Sequence, residues 1–133
     1  MCGFAGLWSA DRSVNFEQLT CSMTAPIEHR GPDDSGHWAD ESTGIALGFR
    51  RLAILDLSPA GHQPMASASG RYMALFNGEI YNFASLRAAL GPDFAPRGHS
   101  DTEVLLATAD RHGIVEAVRR ASGMFAIAIW DRQ

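Results

Sequence analysis

The chain predicts an α+β domain, and three observations carry that prediction. Strand-like apolar runs at Gly44–Phe49, Arg71–Phe76 and Met124–Trp130 share the chain with helical apolar spacing after Asn15 and after Ser100. The last run is apolar on both alternate sets, with Phe125, Ile127 and Ile129 on one face and Met124, Ala126 and Ala128 on the other. Such a strand is expected to be sandwiched between layers. Finally, 133 residues with 46% hydrophobic and 20% charged content make one ordinary globular domain.

Each element has a local reason. Cys2 to Trp8 reads as a short strand with the small residues Gly3, Ala5 and Gly6 interleaved. From Asn15 to Ala25, Phe16, Leu19 and Met23 recur at helical spacing, and the helix is expected to stop before Pro26. His29 to Gly36 is dense in Gly, Pro and Asp and is expected to be loop. Gly44–Phe49 and Leu52–Leu57 read as two strands, with Arg50-Arg51 between or bridging them. Ser58 to Ser69 is a polar connection.

Arg71–Phe76 is expected to end at Asn77-Gly78, a dipeptide suited to tight reversal. Asn82 is placed to cap a short helix through Leu90, ended by Gly91. Ser100-Asp101-Thr102-Glu103 has capping-box spacing before a helix to His112-Gly113, and Ile114–Ala121 is a second helical piece. Cys21 and the methionines Met23, Met65, Met73 and Met124 are expected to pack in the interior.

Composition narrows the function classes. A formal charge of −4 without a Lys/Arg cluster argues against a general nucleic-acid binder. Two cysteines make no disulfide framework, and the apolar run Phe4–Trp8 is too short for a secretory signal. No run approaches the roughly 20 apolar residues of a membrane span. A cytoplasmic location with reduced thiols is the expectation. The five histidines lack ligand spacing, so no metal site is expected, and no Gly-rich phosphate loop occurs.

Cys2 is the most informative single residue. Once Met1 is removed, it carries a thiol nucleophile and a free α-amine, whose reference pKa of roughly 7.7–8.0 makes it a partly unprotonated base near neutrality. One residue then holds both nucleophile and general base. Alone, a cysteine at position 2 reads better as a chance strand start.

Six blocks in order change that balance: Met1-Cys2-Gly3-Phe4-Ala5-Gly6, His29-Arg30-Gly31-Pro32-Asp33, Arg51-Leu52-Ala53-Ile54-Leu55-Asp56, Gly61-His62-Gln63-Pro64-Met65, Asn77-Gly78-Glu79-Ile80-Tyr81-Asn82 and Ser100-Asp101-Thr102-Glu103. Together they resemble the glutaminase domain of class II glutamine amidotransferases, in the asparagine synthetase branch. The resemblance covers nearly the whole chain.

The resemblance implies a four-layer αββα sandwich of the N-terminal nucleophile hydrolase type, incomplete at its C-terminus. It makes residues 1–133 a partial amidotransferase domain, followed in the family by further strands and an ATP-dependent synthetase domain. It implies hydrolysis of the glutamine side-chain amide to glutamate and ammonia through a Cys2 γ-glutamyl thioester, feeding asparagine synthesis from aspartate.

Cys2 is then the nucleophile, and Asn77 (side chain) with Gly78 (N–H) the oxyanion hole. Arg51 suits the glutamine α-carboxylate, Asp101 the α-ammonium, and Glu79 lines the same pocket. The plainer alternatives are a turn at Asn77-Gly78, an Arg51–Asp56 ion pair, and a first-turn helix acid at Asp101. Arg30 and Asp33 are expected to brace the pocket wall.

No cofactor is implied for this domain; ATP and Mg belong to the synthetase domain. Glutamine and that domain are the implied partners, a homodimer is left open, and neither nucleic acid nor membrane is expected. Two further classes remain: an amidotransferase for another acceptor, such as a cell-surface polysaccharide or secondary metabolite, and a catalytically silent truncated domain.

Overall fold

The N-terminal strand forms where the sequence places it, as β1 (Gly3–Trp8), in a computed structural model that describes residues 2–54 and 56–133. Met1 and Leu55 lie outside the described residues, and the expected loss of Met1 and the centre of the Leu52–Leu57 strand fall there. The chain divides into two units, Met1–Ala53 with His62–Pro64 and Ile54–Gly61 with Met65–Gln133. Both are built from helices and an antiparallel three-stranded sheet, in keeping with the α+β class.

In the first unit, β3 (Ile45–Arg51) lies between β1 and β2 (Asp34–Asp40). Gly3 pairs with Arg50 and Trp8 with Ile45 on one side, and Asp34 with Arg51 and Asp40 with Ile45 on the other. This overturns two expectations. The segment His29–Gly36 is not all loop, because β2 begins at Asp34 and takes in Gly36. Arg50 and Arg51 do not bridge two strands, because both have cross-strand partners in β3. Past them, no strand forms among the described residues of 52–57; Ile54 and Leu57 find no buried face and stay 69% and 79% exposed.

Helix α1 (Phe16–Thr24) starts at Asn15, whose side chain accepts the Gln18 N–H at 2.9 Å. The α-helix ends before Pro26, as expected. A 3-10 turn (Ala25–Arg30) continues it, with Pro26 in the first positions, where its missing N–H costs little. The buried stripe is Phe16, Thr20 and Thr24, while Leu19, Met23 and Cys21 face outward.

The threonines can be buried because each hydroxyl donates to a carbonyl one turn back, Thr20 to Phe16 at 2.7 Å and Thr24 to Thr20 at 2.9 Å. The stripe also needs a gap in the sheet beneath it. A Cβ on Gly48 would lie 2.7 Å from Thr24 Cγ2 and 3.5 Å from Thr20 Cβ. The expectation of an interior Cys21 fails for this reason: the helix turns its small polar face to the sheet.

In the second unit, β5 (Tyr72–Ile80) pairs with β4 (Met65–Ala66) and β6 (Gly123–Asp131). Helices α2 (Phe83–Ala89), α3 (Asp101–His112) and α4 (Ile114–Arg120) supply the other side of its core. Ala74, Phe76 and Ile80 of β5 meet Leu86, Val104, Leu105, Ala109 and Ala117 in one cluster, with Phe125, Ile127 and Ile129 of β6 packed against it. The Phe76 and Phe125 rings lie 5.6 Å apart. Met65 and Met73 are buried as expected, but Met124 is 73% exposed. The expected sandwiching of β6 therefore fails: Phe125, Ile127 and Ile129 are half-buried against the cluster, while Met124 and Ala126 on the other face are exposed.

Caps repeat the pattern of partial agreement. Ser100 accepts the Glu103 N–H, but the Glu103 carboxylate turns to the preceding loop instead of closing the box. Asn82 makes no side-chain cap. Its amide donates to the Arg120 carbonyl at 2.9 Å and its oxygen accepts the Ser122 N–H at 2.8 Å, because the connection from α4 to β6 passes within reach.

The contact between α1 and the sheet is open to test. Gly48→Ala is expected to destabilise the protein by about 1–3 kcal/mol through overpacking. Adding Thr24→Ser deletes the clashing methyl and keeps the hydroxyl, so the double variant recovers part of the loss in urea denaturation. Purely additive effects would contradict this packing.

Candidate active site

The first unit places Cys2 immediately before β1, half-buried, with main-chain groups around its thiol. Its Sγ accepts the Leu52 N–H at 3.3 Å and lies 3.5 Å from the Leu52 carbonyl, to which the S–H can donate. The Cys2 carbonyl accepts from Arg30 Nε at 3.1 Å. Asp33 takes the Ala53 N–H on its carboxylate at 2.9 Å and donates its own N–H to the Arg51 carbonyl at 3.0 Å. The His-Arg-Gly-Pro-Asp block therefore fastens both the Cys2 segment and the end of β3. Arg51 closes β3 and is 8% exposed. The unit brings the Cys2 thiol to the residue next to Arg51.

The second unit holds Asn77, Gly78, Glu79 and Asp101. Asn77-Gly78 is not the expected turn. It lies inside β5, with Asn77 opposite Ala126, Gly78 opposite Phe125 and Glu79 opposite Met124. Gly78 adopts a φ of 152°, a region that favours glycine. A Cβ there would lie 2.2 Å from the Met124 carbonyl oxygen, so a side chain is excluded by the neighbouring strand as well. The dipeptide serves close strand approach here, and alternation places Asn77 and Glu79 on one face.

Asp101 opens α3 and reaches the end of β5. One carboxylate oxygen accepts the Ile80 N–H at 2.9 Å and the other accepts the Thr102 N–H at 2.9 Å. Burial raises its pKa above the ordinary carboxylate value; these backbone bonds oppose the shift and the nearby Glu79 charge adds to it. A buried acid beside a second acid is a natural receptor for an ammonium group. No group of three or more His, Cys, Asp or Glu among the described residues is placed to hold a metal ion. No helix among them is long and apolar enough to cross a membrane.

Sequence reasoning missed the Leu52 main chain at the Cys2 thiol, the Arg30 bond to the Cys2 carbonyl, and the roles of Asp56 and Glu103 near Asp101. Main-chain donors leave no trace in residue identity. For Asp56 a signal existed in the Asp-Leu-Ser spacing, which favours an Asx turn.

The chain belongs to the glutamine amidotransferase domain family, which it matches over residues 1–133. It is 43% identical, over 99% of its length, to a protein of Bacillus subtilis named asparagine synthetase [glutamine-hydrolyzing] 1. It is also 43% identical, over 97% of its length, to a putative asparagine synthetase [glutamine-hydrolyzing] of Mycobacterium bovis. A protein of Gibberella zeae named amidase chry2 is 37% identical over 92% of the chain. The chain spans only about a fifth of the length of these relatives: 21%, 20% and 18%.

The raised Asp101 pKa sets a pH signature. As pH rises past the ordinary carboxylate value, the unfolded state releases this proton before the folded state does, which favours unfolding. The Asp101 contribution is therefore fully present below the unfolded pKa and lost as pH rises through the folded one. Without glutamine, wild-type stability is expected to fall relative to Asp101→Asn across that acid window in urea titrations at successive pH values. A constant difference across the window would contradict the shift.

Proposed function

We propose that the chain hydrolyses the side-chain amide of glutamine, releasing ammonia for ATP-dependent asparagine synthesis from aspartate. The carrying observation is the Cys2 thiol 3.3 Å from the Leu52 N–H, in a member of the glutamine amidotransferase domain family. The names of the relatives support the substrate and the use of the ammonia.

In this reading the α-amine of a processed Cys2 takes the thiol proton, and the sulfur attacks the amide carbon. The tetrahedral oxyanion is met by the Asn77 amide and the Gly78 N–H, a donor pair of which each member is typically worth about 3 kcal/mol. Collapse expels ammonia, which leaves with the proton from the α-amine, and gives a γ-glutamyl thioester. Water then cleaves the thioester to glutamate and restores the thiol. Arg51 holds the glutamine α-carboxylate, and Asp101 with Glu79 the α-ammonium.

The family's four-layer αββα arrangement and a following synthetase domain that uses ATP and Mg belong to the same proposal. A second reading, amide transfer to another acceptor, shares every step at Cys2.

Cys2→Ala is expected to abolish ammonia release from glutamine and covalent labelling by a glutamine-mimicking diazoketone, with the far-ultraviolet circular dichroism unchanged. Retention of Met1, identified by mass spectrometry, is expected to be equally inactivating. Glutamine hydrolysis by a folded alanine variant would refute the mechanism.

A further inference from the structure

Two buried carboxylates outside the proposed substrate contacts converge on the three residues that lead into α3. Glu103 accepts the Arg97 N–H on Oε1 at 2.8 Å and the Gly98 N–H on Oε2 at 3.0 Å. Asp56 accepts the next N–H, that of His99, on Oδ2 at 2.8 Å. Three successive main-chain donors are thus taken by two acids that are 7% and 6% exposed.

The arrangement is fixed at its other ends as well. Asp56 Oδ1 accepts the Ser58 N–H at 2.8 Å, so both of its oxygens are engaged. Arg97 Nε lies 3.3 Å from Glu103 Oε1, and its guanidinium also donates to the Ala66 carbonyl at 3.0 Å. Gly98 leaves room for the Asp56 carboxylate, since a Cβ there would lie 2.4 Å from Oδ2 and 2.8 Å from Ala60 Cβ. Two residues past His99 stands Asp101, whose own carboxylate is tied to the Ile80 N–H.

We propose that Asp56 is a positioning residue for recognition of the glutamine α-ammonium, acting with Glu103 to set the backbone that presents Asp101. The inference rests on the role given to Asp101 in the proposed function. Charge-assisted bonds from buried carboxylates to main-chain donors are strong and directional, and buried N–H groups must find acceptors. Loss of the Asp56 acceptor frees the His99 N–H and the start of α3, while the Cys2 thiol keeps its own contacts in the other unit.

The test compares ammonia release from glutamine and from glutaramate, which is glutamine without its α-ammonium, in the full-length protein. Asp56→Asn replaces one acceptor oxygen by an NH2 group. It is expected to raise KM for glutamine on the order of 10-fold and to lower kcat by less. KM for glutaramate stays put, so the preference for glutamine shrinks by the same factor. Equal losses with both substrates, or none with either, would overturn the proposal. Gly98→Ala, which pushes on the same carboxylate, gives the same selective loss and decides the matter if Asp56→Asn does not fold. Asp101→Asn separates the two levels. If it leaves the preference intact, the ammonium assignment itself fails; if it removes the preference while Asp56→Asn does not, only the role of Asp56 fails.

Discussion

The second unit depends on β5. From Tyr72 to Phe76 this strand is buried at every residue, and it is the central strand of its sheet, with β4 on one side and β6 on the other. Its apolar half anchors the cluster that seats α2, α3 and α4. The ladder with β6 then carries the same strand past Phe76, so Asn77, Gly78 and Glu79 sit on a frame set by the core rather than on a free loop. The last β5 residue donates its N–H to Asp101, which joins the start of α3 to the strand. Groups on a paired strand and a docked helix end are held more precisely than groups on loops.

Legibility in the sequence followed the range of the forces involved. The starts of α1 and α3 were readable because Asn15 and Ser100 act within three residues. The blocks around Cys2, Arg51, Asn77 and Asp101 were readable as a family resemblance, and the family match bears that resemblance out. Features decided by distant partners were not readable. The Asn77-Gly78 turn expected from local preference gives way to nine residues of pairing with β6. Strand β2 hid in a Gly- and Asp-rich segment, because its support is the β3 ladder rather than its own apolarity. The interior assigned to Cys21 went instead to two threonines, whose hydroxyls are satisfied by the helix that carries them.

Carboxylates recur in the second unit as acceptors for the main chain more than as partners for cations. Asp56, Asp101 and Glu103 each accept at least two backbone N–H groups. This explains how a domain of net negative charge can bury several acids. It also separates two electrostatic situations. Glu103 has Arg97 beside it, whereas burial and the nearby Glu79 charge both disfavour the charged form of the Asp101 carboxyl. A positive charge placed beside such a carboxyl offsets that cost.

The surroundings of the Cys2 thiol have a consequence for variation. The groups that touch the sulfur, the N–H and carbonyl of Leu52, belong to the main chain and are supplied by nearly any residue type. The side chain at position 52 can therefore drift without disturbing those two contacts. At Gly78 and Gly98 the reverse holds, because even one added methyl meets a neighbour. Tolerance to replacement is thus set residue by residue, by whether the backbone or the side chain makes the contact, and not by distance from the thiol.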